Sequence, residues 1–152
     1  MYRYIPSLLL TPIYIILGFY SYWAFDSHFI PTAVNYGLYI EDGTHEYRNG
    51  VIYLQRGETI KVSFDIERYK SCKVYANRSA HNISTNTEYL LSYAVSIVTP
   101  EPRHKVTRYI VIPDNLPSGD YKLEVKLTYE CNPLETIFPK SIIPDPIPFI
   151  IR

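Results

Sequence analysis

Charge of one sign is what this chain lacks first. Lysine plus arginine and aspartate plus glutamate stand at 15 each in 152 residues. A neutral chain has no electrostatic footprint for nucleic acid or for an anionic membrane surface, so no nucleic-acid partner is expected. Chemical motifs are missing as well. The only two cysteines, Cys72 and Cys131, form no Cys-x-x-Cys pair, which sets redox catalysis aside. His28, His45, His81 and His104 fall in four separate predicted loops, with no spacing that would gather them on a metal. Asp42, Asp65, Asp114, Asp120 and Asp145 lack calcium-loop spacing, and no serine sits in a Gly-x-Ser-x-Gly turn. No carboxylate pair is singled out for acid–base work. The expectation is a protein that is not an enzyme, with no cofactor, no metal and no identifiable small-molecule substrate. Internal repeats and low-complexity tracts are absent too. Alanine is scarce against 12 prolines and 16 tyrosines, a balance that favours strands and turns over helices.

Long hydrophobic runs are also rare, with one exception. Tyr4 to Phe25 carries no charge for about 22 residues. As a helix it would reach roughly 33 Å, against a bilayer core of about 30 Å. A cleaved signal peptide needs small residues at its cut, and Tyr22 is large where a cut after Ala24 wants a small side chain. A core helix apolar on every face would need a larger protein around it. The reading is therefore a signal anchor over residues 4–25. Pro6 is tolerated in the first turn and Pro12 should kink the helix. Tyr20, Tyr22 and Trp23 would form the outer membrane-interface belt, and Tyr2 and Tyr4 the inner one. Arg3 before the run and Asp26 after it put residues 1–3 in the cytoplasm by the positive-inside rule. Residues 26–32 follow as a juxtamembrane linker, and residues 33–152 as one periplasmic or extracellular domain. The run has no strongly ionisable side chain, which argues against a transport or proton path, and Gly18 alone makes no helix-dimerisation motif.

Beyond the run the pattern is strand and turn. Thr59–Glu67 alternates, with Ile60, Val62, Phe64 and Ile66 on one face. Asp120–Cys131 alternates too, with Tyr121, Leu123, Val125, Leu127, Tyr129 and Cys131 together. Further strands are predicted at Ala33–Ile40, Val51–Gln55, Ser71–Ala76, Glu88–Val98 and Lys105–Ile112. In Glu88–Val98 the core face would be Tyr89, Leu91, Tyr93, Val95 and Ile97. Loops are predicted at Glu41–Gly50, Asn77–Thr87 and Asn132–Lys140. The ending, Ser141–Arg152, holds Pro144, Pro146 and Pro148 two apart. Their missing N–H groups fall on one edge, so an edge strand is predicted, with Ile147, Phe149 and Ile151 facing the core. Seven to nine strands at this spacing argue for an all-β antiparallel sandwich.

The stretch Leu116-Pro117-Ser118-Gly119-Asp120-Tyr121-Lys122-Leu123 resembles the turn into the penultimate strand of immunoglobulin-like and fibronectin type III domains. The resemblance implies an immunoglobulin-like sandwich in which the Tyr121 hydroxyl forms a corner with the preceding loop. Leu123 stands where antibody domains carry their second cysteine, so the antibody disulfide is absent. Trp23 lies in the hydrophobic run, so the core tryptophan is absent too. In such a sandwich the strands of Cys72 and Cys131 are neighbours, and both cysteines point inward. A disulfide between them is expected outside the cytoplasm, with two buried thiols as the alternative.

Surface signals are sparse. Arg103, His104, Lys105 and Arg108 make a small basic cluster, read as a solvated strand edge. The sequons at Asn77 and Asn82 are read as unused, as in a bacterial or phage protein. Tyr36, Tyr39, Tyr47, Tyr53, Tyr75 and Tyr109 are candidates for a protein-binding face, since tyrosine gives contact area at low entropic cost. The functional expectation is a membrane-anchored binding or assembly module, a noncatalytic subunit of an envelope or membrane complex. Its expected partners are the lipid bilayer and another membrane or envelope protein. A structural virion or filament component that packs through the hydrophobic helix is the alternative, and an enzyme with a loop-borne site the second.

Overall fold

Two sheets form because the long strands of this chain each have one apolar face to hide. The computed structural model describes residues 5–29, 32–40, 46–48 and 51–152. A helix, α1 (Ile5–Phe29), comes first. Ten strands follow: β1 (Ala33–Ile40), β2 (Glu46–Arg48), β3 (Val51–Leu54), β4 (Thr59–Arg68), β5 (Cys72–Asn82), β6 (Thr87–Val98), β7 (Glu101–Val111), β8 (Gly119–Glu130), β9 (Lys140–Ile142) and β10 (Ile147–Ile151). A short helix, α2 (Pro133–Ile137), lies between β8 and β9. One sheet has the order β1-β4-β7. The other runs β2-β3-β10-β8-β5-β6, with β9 also on β8. The two pack face to face as a β-sandwich, so the all-β expectation holds.

The alternating strands behave as their period demands. Ile60, Val62, Phe64 and Ile66 of β4 are buried, as are Tyr121, Leu123, Val125, Leu127 and Tyr129 of β8. The Tyr121 hydroxyl donates to Pro117 O at 2.8 Å, forming the corner. Its ring stacks on Phe149, with centroids 5.4 Å apart. Cys72 and Cys131 are joined by a disulfide that ties the start of β5 to the end of β8.

Three expectations about the strands change. Asn77–Asn82 is strand, not loop. It carries β5 six residues beyond the predicted end at Ala76, and only Ile83–Asn86 turns before β6. In β6, Leu91 is an extra residue, because Arg78 pairs with Ser92 while Ser79 pairs with Leu90. A one-residue bulge reverses the facing of everything after it. Tyr93, Val95 and Ile97, expected in the core, therefore point outward, and Ile97 is 85% exposed. Lastly, β10 is not an edge. It pairs antiparallel with β8 and parallel with β3. The prolines still act as their spacing suggests. Arg152 N donates to Leu54 O, so N–H groups of even-numbered residues in β10 point at β3. Pro148 lacks its donor on that side, and β3 begins to pair only at Phe149. Ile147, Phe149 and Ile151 are buried as expected.

In place of a loop at 132–140, α2 starts where Asn132 Oδ1 accepts from Leu134 N and Glu135 N, both at 3.0 Å, with Pro133 in the first turn. The buried Glu135 reaches back to accept from Cys131 N at 2.8 Å. This Asn-Pro-x-Glu start is a helix signal that the polar loop reading passed over.

The anchor expectation is overturned. Among the described residues no helix is long and apolar enough to cross a membrane. The single-pass placement with a cytoplasmic N-terminus goes with it. From Thr11 onward, tyrosines, Gly18 and Ser21 dilute the apolar side chains, and the helix continues through Asp26 to Phe29, into the stretch expected as a linker. Asp26 is an attachment point to the sandwich. Lys70 Nζ donates to its carboxylate at 2.6 Å and to its carbonyl at 2.7 Å, and Asn132 Nδ2 reaches the carboxylate at 3.5 Å. Arg3, Tyr2 and Tyr4 lie outside the described residues.

Nonreducing mass should be two hydrogens below the reduced mass. Reduction should cost roughly 4 kcal/mol of stability, the chain-entropy value for a loop of about 60 residues, read by urea unfolding with and without reductant. Replacing Tyr121 by Phe should cost about 1 kcal/mol.

Candidate binding surfaces

The sandwich core is interrupted. One buried cluster gathers Ile60, Val62, Ile110, Leu123 and Phe149 with their neighbours. The other gathers Phe64, Val74, Val106, Leu127 and Tyr129 with theirs. Arg78 sits at the level between them. On β5 it shares the inward row of Val74 and Ala76, and it is only 8% exposed. Arg108 occupies the matching row of β7, between Val106 and Ile110, opposite Val62 of β4. Both arginines line a cleft of about 100 Å³ between the sheets. Its walls are Phe64, Ile66, Val74, Val106 and Leu127, with Ala94, Ser96 and Val98 of β6 on the open side. That β6 row faces the cleft only because of the bulge.

The electrostatics of this cleft are unusual. A buried guanidinium normally has a carboxylate beside it. Arg78 donates to Ser92 Oγ at 3.2 Å, and no carboxylate pairs with it among the described residues. Burial, and then the positive charge of Arg108, push its pKa down. At the other end, Arg68 pairs through Nη1 with Glu101 at 3.0 Å, but its Nε is buried without a hydrogen-bond partner. The Tyr129 hydroxyl beside it is pushed up to about 12 by burial.

The predicted surface residues do not converge. Tyr39 and Tyr109 lie on the outer face of the three-stranded sheet, Tyr109 being 70% exposed and Tyr39 lying under Lys105 Nζ at 5.4 Å. Tyr53 and Tyr75 lie on the outer face of the other sheet. Tyr53 is stacked by Arg152 at 4.0 Å, and Tyr75 donates to Glu130 at 2.9 Å. The side chains of Tyr36 and Tyr47 lie outside the described residues, so no single tyrosine face is assembled from the other four. Tyr20 and Trp23 pack edge to face at 6.1 Å near the end of α1, and Tyr22 is exposed there, but with no span they form no membrane belt. The basic cluster is split. Arg103 turns outward to Asp65 at 3.2 Å, His104 bonds Glu101 at 3.2 Å, and Arg108 enters the cleft. His81 bonds Asn86 at 3.1 Å, far from any second histidine in sequence. Both sequon asparagines lie in β5, and Asn82 is buried, its side chain accepting from Ser84 N and Thr85 N.

Sequence reading missed the arginine pair. Alternation was the available signal: Arg108 stands in the row of Val106 and Ile110. Arg78 is hidden because the sequence predicts that its strand ends at Ala76.

No family model matches the chain, and no curated protein matches it by sequence. Solved structures resemble it by shape. A Niemann-Pick type C2 protein from Japanese carpenter ant aligns over 80% of this chain and 94% of its own, at 12% identity and a TM-score of 0.50. The likeness is one of fold. Spo0M, a sporulation control protein from Bacillus subtilis, aligns over 81% of this chain and 50% of its own, at 14% identity and a TM-score of 0.43. A family 123 glycoside hydrolase from Clostridium perfringens aligns over 80% of this chain and 27% of its own, at 11% identity and a TM-score of 0.43.

Tyr129 supplies a pH test. Its folded pKa, raised to about 12, lies above the ordinary value of 10.0, so its contribution is complete below pH 10 and is lost as pH rises through 12. Urea midpoints between pH 9 and 11.5 should fall less steeply in Tyr129→Phe than in the parent chain.

Proposed function

We propose that this chain is a noncatalytic assembly subunit, with an immunoglobulin-like sandwich as its rigid head and α1 as the element that packs against apolar helices of a partner subunit. The observation that carries the reading is the state of α1. Ile13, Ile15, Ile16, Leu17 and Phe19 are all about half exposed or more. Leaving so many apolar side chains in water is unfavourable by roughly 1.5–3 kcal/mol for each that could be buried. One side of α1 suits a helical partner. Tyr14, Ile15, Gly18, Phe19 and Tyr22 border a shallow groove, and a Cβ placed on Gly18 would meet nothing within 4 Å. A second helix can approach closely at such a notch.

The clamp at the base of α1 supports the same reading. Asp26, Lys70 and Asn132 hold the helix end next to the Cys72–Cys131 disulfide, so the head and the packing element are mechanically linked. The immunoglobulin-like assignment rests on strand order. In that scheme β10-β8-β5-β6 correspond to strands G, F, C and C′, and β1-β4-β7 to A, B and E. The Tyr121 corner fits the start of strand F.

Tagged full-length protein should come through purification with one stoichiometric partner. Ile16→Glu and Gly18→Leu should each reduce that recovery at least tenfold while leaving the urea midpoint of the sandwich unchanged. Recovery of the parent chain alone as a stable monomer, or retention of the partner by Ile16→Glu, would sink the reading.

A further inference from the structure

We infer that the cleft between the two sheets is a binding site for a small acidic amphiphile, an anionic head on a short apolar tail, with Arg78 and Arg108 taking the head. Stability offers no account of this arginine pair. Two arginines from opposite sheets line the cleft, Arg78 only 8% exposed within it and Arg108 exposed at its mouth, and their positive charges repel. Packed aliphatic side chains in their place would join the two core clusters into one and remove the desolvation cost. The same two charges become favourable once an anion lies between them, because a guanidinium fork matches carboxylate or phosphate oxygens and the low dielectric strengthens the attraction.

The shape of the cleft selects the rest of the ligand. Between the arginines and the far end, Phe64, Val74, Val106 and Leu127 give the walls an apolar stretch against which a hydrocarbon tail fits. The tail must be short. A cavity of about 100 Å³ is well below the roughly 300–1,000 Å³ of drug-sized pockets. Entry is through the side of the sandwich. β6 ends one sheet and β7 ends the other, so neither strand closes the gap. Arg108, exposed at that opening, meets the head first, and Arg78 lies deeper. The far end keeps one more unused donor, Arg68 Nε, and the Tyr129 hydroxyl.

Calorimetry on the full chain with hexanoate, hexyl phosphate, hexan-1-ol and acetate tests this. Hexanoate or hexyl phosphate should bind at one site per chain, and the stronger of the two identifies the head. Hexan-1-ol and acetate should each bind at least tenfold more weakly, since one lacks the charge and the other the tail. Arg78→Met should abolish binding while its urea midpoint stays at or above that of the parent chain, which separates lost ligand contacts from a failed fold. Arg103→Met, on the outer face, should bind as the parent does. Ile16→Glu should also bind normally, which excludes uptake by the apolar helix and keeps this test separate from the assembly reading. Equal binding of hexan-1-ol, absence of binding by both acids, or undiminished binding by Arg78→Met would each overturn the inference.

Discussion

The inward row of β8 is the constraint on which the sandwich depends. Five side chains, Tyr121, Leu123, Val125, Leu127 and Tyr129, supply both core clusters, so this strand spans the full length of the interior. β5 and β10 pair along it, and β9 adds to its far end. Each end of the row is pinned by a different bond. At the start the Tyr121 hydroxyl holds the preceding loop. At the finish Cys131 is tied to Cys72, which sets β5 against β8. A slip of one residue here would turn the whole row to solvent, so these bonds protect register more than they add contact energy.

The finish of β8 is also where α1 meets the domain. Lys70, Cys72, Cys131 and Asn132 lie within two short connections, and three of the four are engaged in the disulfide or in capping α2. Lys70 engages Asp26 directly, with both side chains largely shielded from water. An ion pair in that setting is less screened than one on an open surface. The apolar helix is therefore held at its base by polar bonds, while the apolar side chains described from Thr11 onward remain largely exposed.

Two features that look like imperfections lie on neighbouring strands of one sheet at the same place. The Leu91 bulge turns Ala94, Ser96 and Val98 toward the gap, and these are small or short side chains. With Tyr93, Val95 and Ile97 there instead, the open side would be filled. Arg78 lies opposite the same bulge, at the residue where the pairing shifts. Departures from regular packing concentrate where a fold is used for binding.

Sequence alone determined the elements whose pattern is local. The alternation in β4 and β8 could be read because residues two apart share a face whatever their partners are. The Tyr121 corner spans only four residues, and the proline spacing before β10 does assign its missing donors to one side. Tertiary structure decided what depends on distant partners. The place of β10 between β8 and β3 follows from a pairing about 100 residues apart. The bulge in β6 is invisible until its register with β5 is known. Arg78 and Arg108 are 30 residues apart on strands of different sheets, so only the packing of those sheets brings their charges together. The charge-free run was legible as an apolar helix, but its fastening to the domain through Asp26 was not. That bond needs Lys70 and Asn132 to meet at one point, and only the folded sandwich makes them neighbours.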